Sequence, residues 1–147
     1  MPESNTVTGT LFALLGGRRH LGTASLDPVE LARTGLPPDA YQTFIERFRL
    51  TVAEQARLFG VAPRSVSRLP KRKKPLNRLI SDRALRVARI CAELMYLWDN
   101  DEVHLQRWLR EPNQALDDQA PLALMDTDAG IREVENVVNH LKYGVFA

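Results

Sequence analysis

The stretch 51–68, TVAEQARLFGVAPRSVSR, decides how this chain folds. It reads as two short helices joined by a tight turn. Thr51 suits the N-cap of the first, because its hydroxyl accepts a bond from an orphan amide at the helix start. Val52, Ala56 and Phe59 share one face, with Leu58 at its edge. Gly60 stands where the first helix must stop and the chain must turn, and glycine takes a positive φ there at little steric cost. Pro63 fits the first position of the second helix, where its missing N–H is not needed. Val66 and Leu69 face inward, which leaves Arg64, Ser65, Ser67 and Arg68 outside.

This spacing is that of a DNA-binding helix-turn-helix. Small Ala56 lets the helices approach, Gly60 comes four residues later, and Val66 locks the second helix onto the first. The second helix then lies in a major groove. Arg64 and Arg68, one helical turn apart, reach the same groove; an arginine fork reads guanine bidentately, and Ser65 and Ser67 bond to bases or phosphates. Taken alone, the eighteen residues also fit an ordinary αα-hairpin with solvated arginines. The run Lys71-Arg72-Lys73-Lys74 favours DNA, since it lies where the chain leaves the groove and passes a phosphate backbone. Phosphate contacts there add salt-sensitive affinity without sequence preference. Pro70 is expected to end the recognition helix early.

Outward from this stretch, charge divides the chain. Net charge over the 147 residues is only +2. Yet Arg47 to Arg89 holds thirteen Lys/Arg against two acids, and Ile90 to Ala147 holds four Lys/Arg against eleven acids. The asymmetry suggests a polyanion for the first half and a different partner for the second. The single cysteine, Cys91, excludes an internal disulfide framework and fits a reducing cytoplasm. No apolar run approaches the length that spans a bilayer, so no membrane partner is expected. The start lacks the basic n-region of a signal peptide.

Residues 1–25 read as a polar tail and a flexible linker, with a helical turn over Thr10–Leu15 and glycines 16, 17 and 22 around Arg18, Arg19 and His20. Asp27-Pro28 is a helix start, and Pro37-Pro38-Asp39 is another, leading into a core stripe of Tyr41, Phe44, Ile45 and Phe48. The longest helix is expected to open at Ser81-Asp82 and run to about Trp98. Arg83, Arg86 and Arg89 give its first half a basic face continuing the DNA side. From Ile90 it is apolar almost all round, which implies burial on several sides: in the core of a second domain or in a dimer interface. The step near residue 90 reads as a boundary between a segment 26–90 and a segment 91–147. Further helices follow around Trp108, Leu122 and Ile131–Leu141, and Gly144 suits a helix end. The fold class is therefore all-α. Val145-Phe146-Ala147 then forms an apolar end that either folds back on the core or inserts into a partner's cleft.

Catalytic signatures are missing from the sequence. His20, His104 and His140 are widely spaced and form no metal-ligand pattern with Cys91; no glycine-rich phosphate loop or G-x-S-x-G occurs. Neither enzyme activity, a metal nor a cofactor is expected.

Two stretches carry a family resemblance: TVAEQARLFGVAPRSVSRLPKRKKPL (51–76), and RWLREPNQAL (107–116) with APLALMDTDAGIREVENVVNHLKYGVFA (120–147). The pattern R-W-L-x-x-P-N-x-A-L, P-L-x-L-x-x-T-x-x-G, V-E and a terminal Y-G-V resembles the Xre/MbcA/ParS antitoxins, partners of RES-domain toxins in type II toxin–antitoxin systems. The resemblance implies an Xre-like helix-turn-helix domain over 26–90 and a C-terminal toxin-binding and dimerisation domain over 91–147. It implies toxins that consume NAD or transfer ADP-ribose, and an antitoxin end that approaches the toxin's NAD pocket. The matching residues are Lys142, Tyr143, Gly144, Val145 and Phe146. It also implies a homodimer, which would set two recognition helices about 34 Å apart on operator DNA. The alternative reading is a free-standing repressor whose C-terminal domain only dimerises.

Overall fold

The computed structural model describes residues 6–22 and 27–144. Its helices are α1 (Val7–Leu14), α2 (Gly17–Leu21), α3 (Pro28–Thr34), α4 (Pro38–Arg47), α5 (Val52–Phe59), α6 (Pro63–Val66), α7 (Arg78–Leu97), α8 (Glu102–Arg110), α9 (Pro121–Leu124) and α10 (Asp128–Tyr143). Among the described residues there is no β-strand, only an isolated antiparallel bridge between Asn113 and Gln119.

The 20-residue α7 is the axis on which the rest packs. Asn77 caps it, its carboxamide oxygen accepting from the Ile80 amide at 2.9 Å, so the cap stands four residues before the expected Ser81. Ser81 is instead completely buried and joins two loops. Its hydroxyl accepts from the Leu36 amide at 2.8 Å and donates to the Leu76 carbonyl at 3.1 Å. The Leu76 amide in turn donates to the Leu36 carbonyl at 3.0 Å. Gly35, at φ 102°, sits against Leu76 where a Cβ would strike backbone.

The expected tail and linker need correction over residues 6–22. Thr6 caps α1, and Leu11, Phe12, Leu14, Leu15 and Leu21 are buried, with α1 lying along α7. The apolar girth of α7 supplies the surface these leucines need. That girth suggests a second domain or a dimer; here Ile90, Cys91, Ala92, Leu94 and Met95 are buried within the chain itself, and α1, α3, α5, α8 and α10 all pack on α7. The buried side chains form one continuous core from Leu11 to Val138. Each large one, such as Phe44 or Phe48, stabilises the fold by roughly 1.5–3 kcal/mol. The boundary near residue 90 therefore falls inside α7, and it divides surface character within a single core.

Candidate nucleic-acid and partner interfaces

The helix-turn-helix forms as its local chemistry dictates. Thr51 and Glu54 make a reciprocal capping box at the start of α5, with bonds of 3.1 and 2.9 Å. Gly60 is left-handed at φ 67° and closes the helix. Leu58, Phe59, Val66 and Leu69 are buried, but Val52 stays half-exposed. Its expected place on the inner face is taken by Gln55, which lies one turn further on. The Gln55 side chain accepts from the Tyr41 hydroxyl at 3.1 Å and donates to the Leu50 carbonyl at 2.9 Å. Tyr41 also meets Phe59 edge-on at 5.5 Å, which fixes α4 against α5.

The recognition helix, expected to end early at Pro70, stops as α-helix already at Val66. After Val66 the backbone tightens to three-residue bonds, Arg68 N–H to Ser65 and Lys71 N–H to Arg68, and a 3-10 turn spans Leu69–Lys71 with Pro70 inside it. Residues three apart eclipse in that geometry. Arg64 lies in the α-helical turn and Arg68 in the tightened backbone after it, so the two do not share the face of one regular α-helix. Arg64, Ser67 and Arg68 are exposed and Ser65 is half-buried. Lys71, Arg72, Lys73 and Lys74 are all exposed as well. None of these arginines and lysines makes an ion pair among the described residues, so their charge is available to a polyanion.

The expected basic face of Arg83, Arg86 and Arg89 does not continue the DNA side. Arg83 donates to the carbonyls of Asp126 (2.9 Å) and Leu58 (3.4 Å). Arg86 pairs with Asp128 at 2.9 Å and Glu135 at 3.6 Å, and Arg89 pairs with Glu93. On the other flank Arg110 reaches from α8 to the carbonyls of Phe48 and Arg49 and to Glu54, within 3.1–3.3 Å. Arg47 pairs with Glu102 at 3.2 Å. Part of the charge asymmetry along the sequence is therefore neutralised inside the molecule. Arginines clamp the helix-turn-helix to the acidic half.

The residues that carry the C-terminal pattern are mostly structural. Thr127 caps α10 by accepting from the Gly130 amide at 3.0 Å. At Gly130 a Cβ would collide with the Leu124 carbonyl, so P-L-x-L-x-x-T-x-x-G encodes the close crossing of α9 and α10. Asn113 caps a 3-10 turn, accepting from Ala115 at 2.9 Å, and the following loop holds Asp117 and Asp118 at positive φ. Trp108 meets Trp98 edge-on at 5.9 Å. α10 runs in the same sense as α7: Asp128 faces Arg83 and Arg86, and Lys142 reaches Glu93 at 3.5 Å.

At the end of α10, Lys142 is half-buried, Tyr143 is 73% exposed, and Gly144 is left-handed at φ 63°. Val145 and Phe146 lie outside the described residues. Among the described residues no helix is long and apolar enough to cross a membrane.

Comparison with known proteins assigns both halves. Residues 27–89 match the antitoxin Xre-like helix-turn-helix domain, and residues 93–144 match the antitoxin Xre/MbcA/ParS C-terminal toxin-binding domain. A protein of Yersinia enterocolitica named Antitoxin Xre is 25% identical over 146 residues, covering 99% of this chain and 97% of the relative. Another Antitoxin Xre, from Photorhabdus laumondii, is 26% identical over 89 residues, 60% of each chain. A helix-turn-helix with unpaired basic residues, clamped to a helical domain of the toxin-binding type, makes this chain a member of the Xre/MbcA/ParS family, an antitoxin with a DNA-binding domain.

Proposed function

We propose that this antitoxin neutralises a RES-domain toxin, one that consumes NAD or transfers ADP-ribose, by placing Val145 and Phe146 in its active-site pocket, and represses its own operon. The observation that carries the reading is the placement of two surfaces along α7. The basic run 71–74 precedes its first turn, and Lys142 pairs with Glu93 near its far end. Fifteen residues of α-helix separate Arg78 from Glu93, roughly 22 Å at 1.5 Å per residue. A toxin at the Tyr143 end and DNA at the basic end therefore do not compete for space. Arg64, Ser65, Ser67 and Arg68 read bases, and Lys71 to Lys74 hold phosphate. Lys142, Tyr143 and Gly144 deliver the tail, with Gly144 allowing close backbone approach. The protein acts by occlusion and binding rather than catalysis, in the cytoplasm where operator and NAD are found.

We also propose a homodimer. The sequence resemblance implies dimerisation through the segment 91–147; we assign the second copy instead to the open groove of about 680 Å³ between α3 and α7, along which Val29 and Leu79 are exposed. Leu79→Asp should then yield a monomer in sedimentation and weaken operator binding.

Deleting residues 145–147 tests the core of the proposal. With the product of the adjacent gene present, NAD consumption should return while operator binding is kept. If the shortened chain still suppresses NAD loss, the occlusion mechanism is wrong.

A further inference from the structure

The segment assigned to the toxin's pocket is small. Val145 and Phe146 extend only about 7 Å beyond Gly144 even when fully stretched. A stable complex buries about 800 Å² on each partner and draws on some 20–30 residues a side. A larger footprint must continue from the tail onto the folded surface.

The structure supplies a candidate next to the tail. Tyr96, Leu97, Val103 and Tyr143 are large apolar or aromatic side chains left 37–73% exposed, and all four fall within the matched toxin-binding domain. They lie at the C-terminal ends of α7 and α10 and in the first turn of α8. Lys142 Nζ lies 3.5 Å from a Glu93 carboxylate oxygen and 5.6 Å from the centre of the Tyr143 ring, which ties the last turn of α10 to α7. Tyr96 and Leu97 come three and four residues after Glu93, on the same face one turn further along. Val103 stands in the first turn of α8, across the short loop that follows. Beside it His104 stacks on Trp98 at 3.9 Å, and Trp98 braces Trp108. These ring contacts brace the turn from α7 to α8, next to Leu97 and Val103. Neither tyrosine hydroxyl has a hydrogen-bond partner among the described residues. Exposed tyrosines beside aliphatic side chains have the make-up of an interface centre.

We propose that Tyr96, Leu97, Val103 and Tyr143 form a docking face for the toxin, covered by an apolar depression at the mouth of its pocket with acceptors for two phenol hydroxyls. This rests on the toxin-binding reading above. It adds a division of labour: the docking face holds the partner and the tail blocks the pocket.

The test uses the full-length chain and the RES-domain protein encoded by the adjacent gene. Affinity, NAD consumption at saturating antitoxin, oligomeric state and operator binding are measured for wild type, Y96A/L97A, Val103→Lys and the 145–147 deletion. Y96A/L97A should weaken toxin binding by about 30-fold or more, the scale of an interface hot spot, yet still inhibit at saturation and bind operator normally. Val103→Lys, at a 69% exposed site, should also weaken binding, and it serves if the double variant loses thermal stability. The tail deletion should do the reverse, keeping the complex while inhibition is lost. Wild-type affinity in both surface variants, with inhibition lost only in the deletion, would remove the docking face and leave the tail mechanism standing. Conversion of a dimer to a monomer by Y96A/L97A, with toxin affinity unchanged, would assign the face to a second copy and overturn the proposal. If wild type itself neither binds nor inhibits the toxin, the toxin-binding reading fails, and the docking face with it.

Discussion

Single side chains here do work that their type does not announce. Ser81 sits in a helix where a serine at the surface would contribute little. Buried, it holds the Leu36 amide and the Leu76 carbonyl, so Ser81→Ala should cost about 1–3 kcal/mol in chemical denaturation by leaving a buried amide unpaired. Gly130→Ala should destabilise by about 1–3 kcal/mol or more, since the added methyl meets the Leu124 carbonyl; a thermal melt reads the loss directly. Cys91 is a third case. Burial pushes its thiol from an ordinary value of 9.0 up to about 12. A raised acid favours the folded state while it stays protonated. Its contribution is complete below the ordinary value and is lost as pH rises toward the folded one. Stability should therefore decline above about pH 9, and Cys91→Ala should flatten part of that decline. Burial raises Tyr41 as well, so the substitution will not abolish the decline entirely.

At the scale of the element, the recognition segment is the decisive case. Its α-helix lasts only from Pro63 to Val66 before the backbone tightens. Arg64 and Arg68 should consequently act separately rather than as one ridge. Arg64→Ala and Arg68→Ala should each lower operator affinity, by about 1–3 kcal/mol where a bidentate base contact is lost, and the losses should be nearly additive. Replacing Lys71, Lys73 and Lys74 by Gln should weaken binding to all sequences alike. It should also reduce the slope of log affinity against log salt by up to about 0.9 per contact removed. A salt slope unchanged in that triple variant would take the run away from the phosphates.

Across the whole molecule, one core spans both matched domains, and α7 belongs to each. A fragment ending near residue 90 would cut α7 before Cys91, Leu94 and Met95, all buried. It should fail to fold, giving no cooperative melt, whereas the full chain should unfold in one transition. The arginine clamp links the same parts from outside. Arg110→Ala removes bonds to Phe48, Arg49 and Glu54, and should loosen the start of α5 at a cost of about 1–2 kcal/mol. Because Glu54 completes the capping box of the first helix of the DNA-binding pair, operator affinity should fall in the same variant, as measured by titration against promoter DNA.

Local chemistry made much of this legible in the sequence. Thr51, Gly60, Pro63 and Thr127 mark helix ends through bonds and dihedrals set within a few residues, so the helix-turn-helix and the last helix follow from spacing. The exposed basic run was equally readable, because nothing near it in sequence could neutralise it. Only the tertiary structure decided the rest. Arg83 and Arg86 look identical in sequence to DNA-facing arginines until Asp126, Asp128 and Glu135, more than forty residues away, are brought against them. The leucines of α1 resembled a loose tail until the girth of α7 gave them a place to be buried. Caps depend on neighbours in the chain, which a sequence displays. Burial and ion pairing depend on neighbours in space, which only the packed fold creates.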